Sequence, residues 1–280
     1  MTSAVLAGRL YCPSSLEFIM HDLLVVGGGV MGGALAVGIG RAEGGPRSVA
    51  ILDHSPEKAR SIASRFPGGV AVDSVEPAKM YLLAVKPHHI RGVLTDLPPH
   101  SKVISVAAGV RLDQLQTWAP AGGQVIRAMP NTACEIGAGV IAISEIDDSS
   151  FLTATRELFG LVGEVFVVPE KQFDVVSALS GSGPAYVFLL LEAMQEAGLT
   201  LGLPASVALE LARATVRGAV LLADAKGEDP RTLRLAVTSP GGMTAAAIAV
   251  FEELGLRHQT LEAVRAATVR AQALSDHAGE

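Results

Sequence analysis

Residues 23–33 constrain the chain most. They read Leu-Leu-Val-Val-Gly-Gly-Gly-Val-Met-Gly-Gly, a strand-like run feeding a glycine turn and then a helix-like stretch. Gly27, Gly29 and Gly32 fit the spacing GxGxxG. There the first glycine permits the tight turn and the second lets a pyrophosphate approach the backbone. The third lets helix and strand pack closely, and the helix N-terminus attracts the anion. A glycine-rich turn alone would be a weak signal, but Asp53 follows at the end of the next strand-like run, where this motif places an acidic residue. Asp53 would accept hydrogen bonds from an adenosine ribose and disfavour a 2′-phosphate. Its alternative task is to cap the helix that begins near Pro56. His54, Ser55 and Lys58 lie beside it and could contact a 2′-phosphate instead. The expectation is a dinucleotide cofactor, NADH or NADPH, and an oxidoreductase.

From Leu23 to Val168 short β-branched runs alternate with helical stretches, which implies βαβ units and a parallel sheet. Strands are expected at 23–26, 48–52, 80–84, 102–106 and 124–128, with 139–143 and 165–168 completing the sheet. Helices are expected at 31–41, 56–65 and 149–161. After Pro169 strand-like runs vanish, and Ala- and Leu-rich helices are expected at 172–179, 184–197, 205–225 and 245–274. The helix opened by Pro184 reads Tyr-Val-Phe-Leu-Leu-Leu-Glu-Ala-Met from residue 186 and is apolar nearly all round, so it must be buried on every side. A segment of about 110 residues has limited means to do that alone, and a homodimer interface is expected.

Three domains of behaviour follow: residues 1–19 as a flexible extension, 20–168 as the nucleotide-binding unit and 169–280 as the helical unit. Nearly half the chain (49 %) is apolar and 18 % is charged, enough for a buried core. The net charge of −6 excludes a basic face for nucleic acid or anionic lipid. A phosphate-bearing ligand must be held by local donors. Cys12 and Cys134 form no CxxC pair, so neither a disulfide framework nor a metal site is expected, and a reducing cytoplasm is the simplest compartment. The most apolar run, 184–194, is too short to span a bilayer, so no membrane role is expected.

Five further motifs carry chemistry. Ala84-Val85-Lys86-Pro87 stops a strand at the sheet edge where open α/β sheets bind ligands. Ser105 to Val110 offers small residues after a strand, against which a flat nicotinamide ring can lie. Arg127-Ala128-Met129-Pro130-Asn131-Thr132 ends a neighbouring strand, and Asn131 can hydrogen-bond ring or substrate or simply form the turn. Ser180-Gly181-Ser182-Gly183-Pro184-Ala185-Tyr186 and Thr238-Ser239-Pro240-Gly241-Gly242-Met243-Thr244 are turns feeding helices, whose free N–H groups can hold a carboxylate or phosphate, while helix capping alone would also explain either turn.

Read together from Leu23 to Leu274, these motifs resemble the pyrroline-5-carboxylate reductase family. The resemblance implies an α/β fold with an N-terminal Rossmann-type doubly wound sheet, followed by an all-helical dimerisation domain that interleaves with a partner's. Larger assemblies, such as a decamer of five dimers, occur in the family. The implied reaction is NAD(P)H-dependent reduction of 1-pyrroline-5-carboxylate to L-proline, the last step of proline biosynthesis. For the cofactor the resemblance implies Gly27, Gly28, Gly29, Val30, Met31, Gly32, Ser55, Ala84, Val85, Lys86, Pro87, Ala107, Ala108 and Gly109. For the substrate it implies Gly242 and Met243 through their backbone and Thr244 as the catalytic hydrogen-bond donor to the imine nitrogen, with Ser180 and Ser182 closing the site. Family members often carry Asn-Arg-Ser where this chain has Asp53-His54-Ser55, and an Asn where it has Ser74 near the adenosine ribose. Asp53 pushes toward NADH, and cofactor preference stays open. A β-hydroxyacid dehydrogenase would place a lysine shortly after the glycine-serine turn, and 180–186 has none. A deazaflavin-linked reductase would share only the glycine loop, and a non-catalytic dinucleotide sensor would have lost the site around Thr244.

Overall fold

A computed structural model describes residues 20–277; the expected extension and Cys12 lie outside the described residues. The strands are β1 (His21–Val26), β2 (Val49–Leu52), β3 (Gly69–Val72), β4 (Ala78–Leu83), β5 (Lys102–Ser105), β6 (Gln124–Pro130), β7 (Gly139–Ser144) and β8 (Gly163–Val168). Around them run α1 (Val30–Arg41), α2 (Pro56–Ala63), α3 (Pro87–Asp96), α4 (Leu112–Trp118) and α5 (Ser149–Gly160). Every element after Val168 is helical: α6 (Phe173–Val176), α7 (Gly183–Thr200), α8 (Ala205–Lys226), α9 (Pro230–Ala236), α10 (Met243–Glu253) and α11 (Leu256–His277).

The strand order is β3-β2-β1-β4-β5-β6-β7-β8. Successive side chains of a strand point to opposite faces, and the two faces bury separate cores. Leu23, Val25, Ile51, Leu82, Ile104 and Ile126 pack with α1 and with Phe151 and Phe159 of α5. Leu24, Val26, Tyr81, Leu83 and Val103 pack with Ile90 and Leu94 of α3 and Leu115 of α4. The sheet is therefore covered on both sides, as a doubly wound fold requires.

One expectation is corrected. The sheet is not wholly parallel, because β7 runs antiparallel to β6 while every other pairing is parallel. Only a short 3₁₀ turn, Thr132–Ile136, joins the two strands. A parallel return needs a crossover of a dozen or more residues. Three elements outside the expected set are short: β3 is a four-residue edge strand, and α4 and α9 have seven residues each. Helix α3, which opens on Pro-His-His, also lies outside the expected set, although Ile90, Val93, Leu94 and Leu97 recur at helical spacing and form its buried face. The expected helix at 245–274 is two helices, α10 and α11, broken at Gly255, whose φ of +73° lies in the left-handed region. The run Glu170–Thr200 is, by length and composition, apolar enough to cross a membrane, which the shorter window at 184–194 had concealed. It is a succession of 3₁₀, α, π and α turns in which Glu170 and Asp174 are included.

Helix α1 lies against the 3₁₀ turn because residue 38 has no side chain. A Cβ there would sit 2.2 Å from the Cys134 carbonyl oxygen and 2.9 Å from Val162 Cγ1. Gly38→Ala should therefore destabilise the fold by about 1–3 kcal/mol through overpacking. Thermal unfolding checks this, with a drop of about 2–4 °C expected per kcal/mol in a chain of this size.

Candidate active site

The glycine turn is built by close approach. Gly27 has φ +103°, and a Cβ on it would meet the Ala84 carbonyl oxygen at 2.7 Å. A Cβ on Gly32 would lie 1.9 Å from the Gly27 carbonyl oxygen. These two contacts seat α1 across the ends of β1 and β4, where the strand order departs in both directions. Gly29 is the N-cap of α1, and a Cβ built on it meets nothing within 4 Å. Open space therefore stands over the leading N–H groups of Val30, Met31 and Gly32, which have no carbonyl a turn behind them. That is the cradle a pyrophosphate needs, so the residues present fit a dinucleotide.

Asp53 has a task inside the protein. Its side chain is 4 % exposed, and its Oδ2 accepts from the Gly28 N–H at 2.6 Å while Oδ1 accepts from the Ser55 N–H at 2.9 Å. Burial opposes the charged form, but the hydrogen bonds from Ser55 and Gly28, helped by Lys58 and His54, hold the carboxyl below its usual range. The α2 cap is Ser55, whose hydroxyl accepts from the Lys58 N–H. Asp53 instead latches the glycine loop to the end of β2. His54 stands beside it, Nδ1 3.0 Å from Oδ1, and its ring is almost wholly exposed.

Around this latch the cleft has an outer basin of about 730 Å³, which includes Asp53, His54, Asp73 and His89. A neighbouring basin of about 470 Å³ runs along Gly29, Val30, Met31 and Lys58 to Ala84–Pro87 and Ala107–Ala108. Lys86 is the exposed N-cap of α3, with Pro87 in the first turn. Ser74 is exposed next to Asp73.

The inner end opens into a cavity of about 420 Å³ that shares Met31, Val106 and Ala108 with the cleft. Its floor includes Arg127 and Met129 of β6, and one wall is Ser177, Gly181 and Ser182. That wall is a π-helical turn, Ser177–Gly181, a form frequent at functional sites. A Cβ on Gly109, whose φ is +82°, would come within 3.2–3.3 Å of Leu274 on α11, so the last helix lies against this loop.

The structure does not bring every expected residue here. Asn131 is internally engaged: its Nδ2 donates to the Ser180 carbonyl, and its Oδ1 accepts from Ala133 and Val140. The Ser180 hydroxyl donates to the Val176 carbonyl, while Ser182 lines the cavity. Gly242 caps α10, but Met243 is 92 % exposed, Thr244 is exposed, and neither lines the cavity. Cys134 is buried, and burial pushes its thiol up to about 11, which leaves it inert. Arg127 of the cavity and His89 of the cleft lie outside the expected site residues. A charged residue inside a strand-like run was the available signal for Arg127.

A Rossmann-type sheet with a glycine-loop cleft that leads into a helix-walled cavity defines a dinucleotide-dependent oxidoreductase of two structural units. Comparison with known proteins narrows the class. Residues 22–109 match the family model for NADP oxidoreductase, coenzyme F420-dependent, and residues 170–274 match that for pyrroline-5-carboxylate reductase dimerisation. The pyrroline-5-carboxylate reductase of Mycobacterium leprae is 37 % identical over 91 % of this chain and 97 % of its own length. The solved pyrroline-5-carboxylate reductase of Coxiella burnetii superposes with a TM-score of 0.83 at 34 % identity, covering 91 % of this chain and 99 % of that one. The Plasmodium falciparum pyrroline carboxylate reductase, solved with NADP bound, gives 0.81 at 26 % identity, with 91 % and 98 % covered. This chain belongs to the pyrroline-5-carboxylate reductase family.

Two substitutions separate fold from binding within the loop. Gly29→Asp should leave thermal stability nearly unchanged, since its Cβ meets open space, while its carboxylate repels the pyrophosphate and abolishes binding in a cofactor titration. Asp53→Ala should weaken NADH and NADPH alike, because the lost latch serves the loop itself; loss confined to NADH would restore a ribose-only role. The same latch sets a pH dependence. A carboxyl whose native pKa is depressed contributes stability that is complete above the ordinary aspartate value of about 3.9 and lost as pH falls through the native value. The stability gap between wild type and Asp53→Asn should shrink in acid, which unfolding curves at stepped pH will measure.

Proposed function

We propose that the protein reduces 1-pyrroline-5-carboxylate to L-proline with NADH or NADPH, the last step of proline biosynthesis. The observation that carries the reading is the continuity between the glycine-loop cleft and the inner cavity, through Met31, Val106 and Ala108. A cofactor lying along the cleft directs its reactive end into a small chamber floored by Met129 and Arg127. The bound dinucleotide supplies the hydride. The chain holds both reactants close, which is where much of the rate of such a reaction arises. Met31, Val106 and Met129 suit a flat ring and exclude water.

In this reading the N–H groups at the start of α10, at Met243 and Thr244, hold the substrate carboxylate. The Thr244 hydroxyl donates a hydrogen bond to the imine nitrogen, making its carbon a better hydride acceptor, and solvent supplies the proton. Thr244 comes from a second copy of the chain. Its exposure supports this, as does the unfilled surface around it. Helix α7 has no buried residue within one chain, although Phe188, Leu189 and Leu190 lie on it, and Leu221 and Leu222 of α8 and Phe251 of α10 are equally open. Seating each such side chain is worth about 1.5–3 kcal/mol, a drive toward a homodimer through the helical units. A decamer of five such dimers is the larger assembly we infer, and the cytoplasm is the compartment in which it would work.

Adding pyrroline-5-carboxylate should oxidise the reduced cofactor in step with L-proline formed. No turnover with either cofactor, from a folded protein that binds one, would overturn the reading. Thr244→Ala should lower kcat by about 10²-fold, the scale for losing one transition-state donor, with cofactor affinity unchanged. Leu189→Asp should yield monomers in sedimentation and lose activity with them.

A further inference from the structure

The cavity floor carries a charge that imine reduction does not explain. Arg127 is 2 % exposed, in the middle of a central strand. Its Nη1 donates to Glu170 Oε1 at 2.5 Å, and its guanidinium lies 4.6 Å from the ring centroid of Phe173, which is wholly buried. The same Glu170 oxygen accepts from the Leu112 N–H at the start of α4. One ion pair thus joins β6, α4 and the first turn of the helical unit. Three residues after Glu170 the chain enters α6, and Asp174, Ser177, Gly181 and Ser182 then form the helical wall of the cavity.

This pair is poorly designed for stability alone. Two of its buried atoms, Arg127 Nε and Glu170 Oε2, have no hydrogen-bond partner. Arg127 is buried but the Glu170 side chain is 34 % exposed, so water screens part of the attraction, and an incompletely satisfied pair of this kind adds little stability. What an apolar pair cannot reproduce is a directional, charge-assisted bond of fixed length across the junction of two structural units. Asn131, the first residue past the end of β6, fastens the wall a second time through the Ser180 carbonyl. Strand β6 therefore sets where the π-helical turn stands relative to the floor.

We propose that Arg127 is a positioning residue. Its clasp with Glu170 holds the Ser177–Ser182 wall at the separation that hydride transfer requires. The inference rests on the proposed imine reduction, whose reacting atoms must come within about 3–3.5 Å and tolerate little displacement. Arg127 acts through the wall, and the adenosine end of the cleft lies on other elements.

The test uses the full-length protein. The double variant Arg127→Met/Glu170→Leu removes both charges together and should fold with a melting temperature near that of wild type. Its Kd for NADPH, read by cofactor fluorescence, should be unchanged, while kcat falls by about tenfold or more. The deuterium isotope effect on kcat with C4-deuterated cofactor should rise, because hydride transfer becomes the slow step. Glu170→Gln, which keeps an acceptor for Arg127, should retain most of kcat. A folded double variant with kcat and isotope effect within twofold of wild type would overturn the proposal, and so would a rise in KM alone. If the double variant does not fold, Arg127→Lys decides in the same way, because it keeps the charge but loses the planar fork. A wild type inactive toward pyrroline-5-carboxylate would instead condemn the reading of the reaction, separately from the clasp.

Discussion

The structure depends first on the contact between Gly32 and the Gly27 carbonyl. With a Cβ of residue 32 placed 1.9 Å from that oxygen, no other residue lets α1 sit so far down on the ends of β1 and β4. The rest of the cleft follows from that seat. It aims the helix N-terminus at the open space over Gly29, sets Ala84–Pro87 along one side and leaves Asp53 near enough to accept from Gly28. The latch is reciprocal: the loop positions Asp53, and Asp53 holds the loop against the end of β2 with a charge-assisted bond worth about 1.5–3 kcal/mol. One acidic residue thereby serves the fold before it serves any ribose.

A second constraint is an unfinished one. The nucleotide-binding unit closes its own cores on both faces of the sheet, whereas the helical unit leaves α7, α8 and α10 with apolar faces in water. The two halves differ in what they need from a second chain. The first buries its cores within one chain, and the second leaves many of its large apolar side chains exposed. In the proposed dimer the cofactor cleft stands on finished architecture, and the exposed α10 turn with Thr244 lies on the surface that pairing would cover.

Much of this was legible in the residues. Continuous apolar runs such as Leu23–Val26 are hydrophobic on both faces and declare a buried sheet, and the glycine spacing declares how its first helix must sit. The apolar circumference of α7 is the ground for expecting a partner, and within one chain that helix has no buried residue. What stayed hidden was decided by tertiary context. The reversal of β7 follows from a short 3₁₀ turn whose sequence reads as an ordinary loop. The inward use of Asn131 depends on where Ser180 comes to rest, 49 residues later. The ion pair of Arg127 with Glu170 joins residues 43 positions apart, and no local pattern marks it. Gly255 was visible as a glycine, but only its left-handed φ makes it a break between two helices.

The central claim is that one chain's glycine loop and its partner's Thr244 make a single site. Mixing two inactive variants tests it directly: Gly29→Asp, which blocks the cofactor, and Thr244→Ala, which removes the donor. After subunit exchange half the dimers carry one of each, and in them both defects fall in the same site, leaving the other intact. Activity should return to about a quarter of the wild-type value for a two-fold symmetric pair. If each site drew its loop and its threonine from the same chain, the mixture would stay as inactive as its parts.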